Sequence, residues 1–313
     1  MKLNDYTKAK RYFNFCLRID INDFQSLYNI LYCYDELKEY NNSIALLNSI
    51  LEKKPYNEIA WFELGKQYLK LKKNKEALSA FDFAIISEEK FVGAYIEKGK
   101  VLEKMGKLPE AIEHFEISLQ FEDPSSFIFS KIGQCHQKLK NHQIAAKFYK
   151  KSITLDPSNI DAWNKIIDFY IEISRYKKAI FYLESFLKID YDNIESWEKI
   201  GSLYLKINFY SLAKDALEKA IKLGSYNKET WTNYIDSLLF LKRWEAAYEL
   251  AEEAKKHFPL DNSIDYRIAG CFLKMGKYFK AKNYFKNFTK KNNKAPNSLK
   301  KLFPEFSHVV KKK

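Results

Sequence analysis

The stretch Asn57 to Glu89, NEIAWFELGKQYLKLKKNKEALSAFDFAIISEE, decides the fold. Counted from Glu58 as position 1, it carries Trp61 at position 4, Leu64 and Gly65 at 7 and 8, and Tyr68 at 11. It continues with Ala77 at 20, Phe81 at 24 and Ala84 at 27. The first set falls on one face of a helix and the second on one face of another, because residues three and four apart share a side of the turn. Small residues at 8 and 20 let the two backbones approach, and large ones at 4, 11 and 24 fill the angle between them. Such a pair cannot bury its apolar faces alone, so neighbouring pairs must stack on it.

The frame runs in both directions without insertion or deletion. Full repeats begin at Phe24, Glu58, Val92, Ser126, Ile160, Ile194, Lys228 and Asn262, filling residues 24–295. Position 20 is Ser43 and then alanine in every later repeat, from Ala77 to Ala281. Pro55, Pro157 and Pro259 recur at position 32, where proline stops one helix before the next begins. On these positions the chain resembles the tetratricopeptide repeat, a helix-turn-helix unit with a period of about 34 residues. The resemblance implies an all-α, right-handed superhelical solenoid of antiparallel helix pairs, whose first helices line a concave groove.

Departures from the pattern carry their own expectations. Position 8 is glycine or alanine in five repeats but Leu31, Ile167 and Ile235 in the others, which predicts three wider helix pairs. Asp265, an acid where an aromatic belongs at position 4, predicts a last repeat that is loosely packed or differently capped. Residues 1–23 fit only a second helix, with Ala9 at position 20 and Phe13 at 24. That helix is read either as a cap or as an open apolar edge for a second copy or a partner. Residues 296–313 predict a capping helix and a lysine-rich tail. The helix opens at Pro296, turns Leu299, Leu302 and Phe303 onto the last repeat and Lys300 and Lys301 outward, and stops before Pro304.

With 9 Gly and 7 Pro in 313 residues, composition suits one continuous elongated helical array. No run reaches the length of a membrane span, and the start, MKLNDYTKAK, is too polar for a secretion signal, so a cytoplasmic location is expected. Cys33, Cys135 and Cys271 each occupy position 10, far apart along the array; with Cys16 they read as buried small hydrophobes rather than disulfides or metal ligands. No metal or cofactor is expected. The net charge of +13 is concentrated at one end: residues 274–313 hold thirteen lysines and one acid, Glu305.

No catalytic constellation is visible, and the repeats leave no room for a separate catalytic domain, so function is expected on surfaces and the chain is not read as an enzyme. The resemblance implies that positions 2, 5, 6, 9, 12 and 13 point into the groove. Some co-chaperones of similar fold hold a C-terminal carboxylate with a lysine at position 5, which here reads Tyr28, Phe62, Ile96, Ser130, Asn164, Glu198, Thr232, Tyr266; that clamp is absent. Position 6 turns basic along the chain, through Lys131, Lys165, Lys199, Asn233 and Arg267, a ladder suited to an acidic segment of a partner. Asp161 and Glu195 precede Lys165 and Lys199 by four residues, so helix-surface ion pairs are the competing reading. In the early repeats Tyr28, Tyr32, Ile59, Phe62, Ile96 and Phe127 form an apolar set, read either as binding surface or as packing.

The expected function is therefore a non-catalytic scaffold or adaptor that binds an extended or helical peptide in its groove. Two alternatives stand beside it: a regulatory subunit of an enzyme complex, and a polyanion-associated protein. The second would act through the basic end, Lys290, Lys291, Lys294, Lys300, Lys301, Lys311, Lys312 and Lys313. With 5 arginines in the whole chain, specific nucleic-acid recognition is disfavoured, since arginine is the residue suited to bidentate phosphate contact.

Overall fold

The computed structural model describes residues 3–121, 123–289 and 297–306. These form eighteen α-helices and no strand. Helix α1 (Leu3–Ile19) precedes eight antiparallel pairs: α2 (Phe24–Glu36) with α3 (Tyr40–Lys53), α4 (Glu58–Lys70) with α5 (Asn74–Ser87), α6 (Val92–Lys104) with α7 (Leu108–Phe121), and α8 (Ser126–Lys138) with α9 (His142–Leu155). The series continues with α10 (Ile160–Glu172) and α11 (Tyr176–Leu187), α12 (Ile194–Lys206) and α13 (Tyr210–Lys222), α14 (Lys228–Phe240) and α15 (Trp244–His257), and α16 (Ser263–Lys274) and α17 (Tyr278–Thr289). The short α18 (Asn297–Leu302) follows. The sequence reads as one unbroken array, but tertiary contacts divide it into two compact units, residues 1–165 and 166–313, at a place that no composition shift marks.

Several first helices share one starting device. Asn57, Asn193 and Asn227, at position 34, accept from backbone N–H groups of Ala60, Ser196 and Glu229 at 2.8, 3.0 and 3.0 Å, satisfying donors that a helix start leaves open. The indole N–H of Trp61, Trp163 and Trp197 donates to the carbonyl six residues earlier, Pro55, Pro157 or Tyr191, at 2.6–2.9 Å. Tryptophan at position 4 thus fixes the entry loop as well as filling the core.

Every first helix ends in the same turn. Position 15 is left-handed throughout: Lys38, Lys72, Lys140, Ser174, Asn208 and Lys242 lie at φ 56–64°, with Gly106 and Gly276 at 79° and 74°. In each case the next N–H donates to the carbonyl of position 11, as in Glu39 to Tyr34 and Lys277 to Phe272, both 2.8 Å. This is the Schellman closure, and glycine is the residue it favours. Lys72→Gly and Lys140→Gly are each expected to raise stability by about 0.5–1 kcal/mol, because a left-handed L-residue costs about 1–2 kcal/mol and glycine's extra chain entropy offsets about half of the gain. Chemical denaturation of either variant would show it; an unchanged or lower midpoint in both would refute it.

Position 8 faces position 24 of the same repeat. A Cβ added at Gly65, Gly99 or Gly201 would lie 2.5–2.6 Å from Phe81, Phe115 or Leu217. Pairs with glycine or alanine at position 8 bring more of their backbone close together than α2–α3 and α14–α15, where Leu31 and Ile235 stand. Asp265, by contrast, does not loosen the last repeat. It is 3% exposed and paired with Lys255, and α16 is buried from Ile264 to Phe272. The cause is α18: Leu299 and Phe303 are buried against it, and Phe306, just beyond, packs with them around Tyr266.

Candidate functional site

The position-6 ladder is largely a row of internal ion pairs. Lys131 Nζ lies 3.0 Å from Glu103, which is buried at position 12 of the preceding repeat and also accepts from Lys138 at 2.7 Å. Burial pushes the Glu103 carboxyl up, but the hydrogen bonds from Lys138 and Lys131 outweigh it and hold the group below the usual glutamate range. Lys165 lies 3.9 Å from Asp161. Lys199 sits between Glu195 at 3.0 Å and Asp168 at 3.4 Å; burial lowers its pKa, and the two carboxylates more than reverse that. Arg267 is 4% exposed and bonds Asp236 through Nε and Nη2 at 2.6 and 2.8 Å. As a guanidinium held in a buried fork, it does not face an incoming ligand.

Four pairs between neighbouring repeats follow a rule that helix spacing alone does not reveal. Lys199–Asp168 and Arg267–Asp236 are 31 residues apart, and Lys138–Glu103 and Lys70–Asp35 are 35 apart. Offsets just short of and just beyond one repeat place two residues side by side on successive first helices. Scanning for opposite charges at those offsets, rather than at four residues, would have found them.

Residues of the early apolar set divide by exposure. Tyr28, Tyr32 and Phe127 are exposed, while Ile59, Phe62 and Ile96 are half-buried. Phe62 serves packing, with its ring 5.2 Å from Phe91 and 5.8 Å from Phe81. Tyr6 of α1 stands edge-on to Tyr32 at 6.0 Å. Phe127 carries two cations, Lys100 and Lys131, at 5.1 and 5.9 Å from its centroid, so it is an amphipathic rather than an apolar contact. Of the basic end, Lys300 and Lys301 are exposed, and Lys290, Lys291, Lys294, Lys311, Lys312 and Lys313 lie outside the described residues.

The second unit holds a cavity of about 710 Å³ bounded by α12, α14 and α18. Ser202 and Lys206 enter it from positions 9 and 13, Glu229 and Asn233 from positions 2 and 6, and Asn297 and Lys301 from the corresponding places on α18. A neighbouring cavity of about 310 Å³ shares Ser202, Lys206, Glu229 and Asn233. Among the described residues, the side chains of Ser202 and Asn233 have no hydrogen-bond partner, and neither Lys206 nor Lys301 has a carboxylate partner. Lys206 instead rests over the Tyr176 ring at 5.3 Å. Asn233 is thus the ladder residue that faces open space. Lys206, at the end of a first helix, is not on the position-6 row, and Lys301 was expected only as part of the basic end, not beside the ladder.

Elsewhere the chemistry is structural. Cys33, Cys135 and Cys271 are buried free thiols, and burial pushes those of Cys135 and Cys271 up to about 11 and about 12. Among the described residues no group of three or more His, Cys, Asp and Glu could hold a metal ion, and no helix is long and apolar enough to cross a membrane.

Two family models match. One, described as the N-terminal TPR repeats region of Psidin, covers residues 66–288, and a tetratricopeptide-repeat model covers residues 24–57. No curated protein matches the chain. Among solved structures, the C-terminal part of a TPR repeat-containing protein from Cytophaga hutchinsonii is similar with a TM-score of 0.60 at 19% identity, over 74% of this chain and 95% of that one. A tetratricopeptide repeat protein from Parabacteroides merdae gives a TM-score of 0.50 at 14% identity, over 80% and 98%. At these identities the likeness concerns the fold alone. With the family model spanning most of the chain and the same turn, cap and glycine contacts recurring at fixed positions, the chain belongs to the tetratricopeptide-repeat family.

Proposed function

We propose that the chain is a non-catalytic protein-interaction scaffold that binds an extended peptide segment in the cavity between α12, α14 and α18. Members of this family are generally scaffolds rather than catalysts. The observation that carries the reading is the contrast between neutralised and open groups: Lys131, Lys199 and Arg267 are satisfied within the chain, whereas Ser202 and Asn233 without hydrogen-bond partners, and Lys206 and Lys301 without carboxylates, converge on one cavity. Serine and asparagine suit the amide groups of a peptide backbone, and two free ammonium groups suit a carboxylate. The acidic partner segment inferred from the position-6 ladder is therefore assigned to Lys206 and Lys301. In the first unit, the exposed rings of Tyr28 and Tyr32 offer a separate apolar contact.

An array of ten-residue peptides with free or amidated C-termini, probed with the whole chain, tests this. Bound peptides are expected to carry a carboxylate in common, and Lys206→Glu with Lys301→Glu should weaken them at least about tenfold, since a charge-assisted hydrogen bond contributes about 1.5–3 kcal/mol. Lys131→Glu should leave them unchanged. Retention of the same peptides by the double reversal would refute the site.

A further inference from the structure

The second helices of the last two repeats present opposite charges on their outward faces. In α15 the buried side is Ala247, Ala251 and Ala254, so the opposite side carries Glu245, Glu249, Glu252 and Glu253, with Lys256 at its C-terminal end. In α17 the buried side is Ala281, Phe285 and Phe288, at the same repeat positions, and the opposite side carries Phe279, Lys282, Asn283 and Lys286. Helix α17 has no acidic residue. Glu245, Glu249, Glu253, Lys282 and Lys286 are all exposed, and among the described residues none of the five has a partner. Tyr284 of α17 donates to Glu252 of α15 at 3.2 Å, which sets the two helices side by side. An acidic row thus lies next to a basic row, with Phe279 79% and Tyr278 70% exposed at the end of the basic one.

A polyanion is a poor fit to this face, because the glutamate row beside the lysines would repel it. A second copy fits well. We propose that the α15–α17 face is a homodimer contact in which the acidic row of each copy meets the basic row of the other. In a two-fold contact the same patch serves both partners, so residue i meets j and j meets i. Charge also selects the axis. A two-fold axis running across the helices would lay glutamates on glutamates. One running along them, between α15 and α17, lays each row on its opposite. Equivalent repeat positions then face each other, bringing Glu252 opposite Lys286 and Glu249 within one position of Lys282, and the exposed ring of Phe279 enters the contact. Two adjacent helices of about 18–21 Å present only a few hundred Å² per copy, at the low end of interface sizes, so the dimer is weak and salt-sensitive.

Sedimentation velocity of the whole, nuclease-treated chain over a range of concentrations gives the test. The mean mass is expected to rise with concentration at about 0.05 M salt and to fall to the monomer at about 1 M. Glu249→Lys with Glu253→Lys makes both rows basic, and Lys282→Glu with Lys286→Glu makes both acidic. Each variant should be monomeric alone, while a mixture of the two should form heterodimers, and all four changes in one chain should restore self-association. The altered side chains are exposed, so an unchanged helical circular-dichroism signal controls for folding. A wild-type chain that stays monomeric at low salt, reversals that leave association unchanged, or a mixture that fails to associate would each overturn the proposal. So would a basic row whose reversal removes only bound nucleic acid.

Discussion

Replacing Asp236 with alanine is expected to destabilise the protein by about 3–5 kcal/mol, the cost of leaving a buried charge without its partner. Asp236 accepts from Arg267 through both carboxylate oxygens, and their side chains are 12% and 5% exposed, so its removal leaves a largely desolvated guanidinium unpaired. After the change the guanidinium keeps only Ser263, whose carbonyl and hydroxyl lie 3.1 and 3.2 Å from Nη1. Removing both charges is a different matter: Asp236→Leu with Arg267→Met is expected to be close to neutral or stabilising, because desolvation of the pair offsets much of its attraction. Urea unfolding followed by circular dichroism measures both. If the single change costs under about 1 kcal/mol, or the double change costs as much as the single, the fork is not the stabilising contact described here.

The second large effect lies at the cap. Phe303 is 1% exposed and fills the space that the missing side chain of Gly270 leaves, its ring lying where a Cβ would clash with it. Phe303→Ala is expected to cost about 3–5 kcal/mol through lost burial and the cavity left behind. Gly270→Ala is expected to cost about 1–3 kcal/mol by forcing that ring away. Both changes act on one contact, so together they should cost less than their sum, and strict additivity would mean that glycine and ring do not meet. Because α18 also brings Asn297 and Lys301 to the cavity, either change should weaken peptide binding there as well.

The repeat was legible because its determinants are local. Gly65 and Phe81, sixteen residues apart in one helix pair, announce a close crossing whatever surrounds them, and the same holds for Gly99 with Phe115. The left-handed turn at position 15 was less legible, since lysine fills it four times and glycine only twice; the hydrogen-bond closure imposes that conformation against residue preference. Of the two readings of Asp265, the loosely packed one failed because an acid in a core position signals looseness only if no cation reaches it, and Lys255 does.

From the sequence alone came the repeat frame and the small-against-large contacts, which depend on residues within one period. What each charge does was decided by the tertiary structure. Lys131, Lys199 and Arg267 find their carboxylates on the preceding repeat, and Lys206 and Lys301 find none. Side-chain partners across neighbouring repeats depend on how helices stack, and a charge is silenced or left open by what packing places within about 4 Å of it.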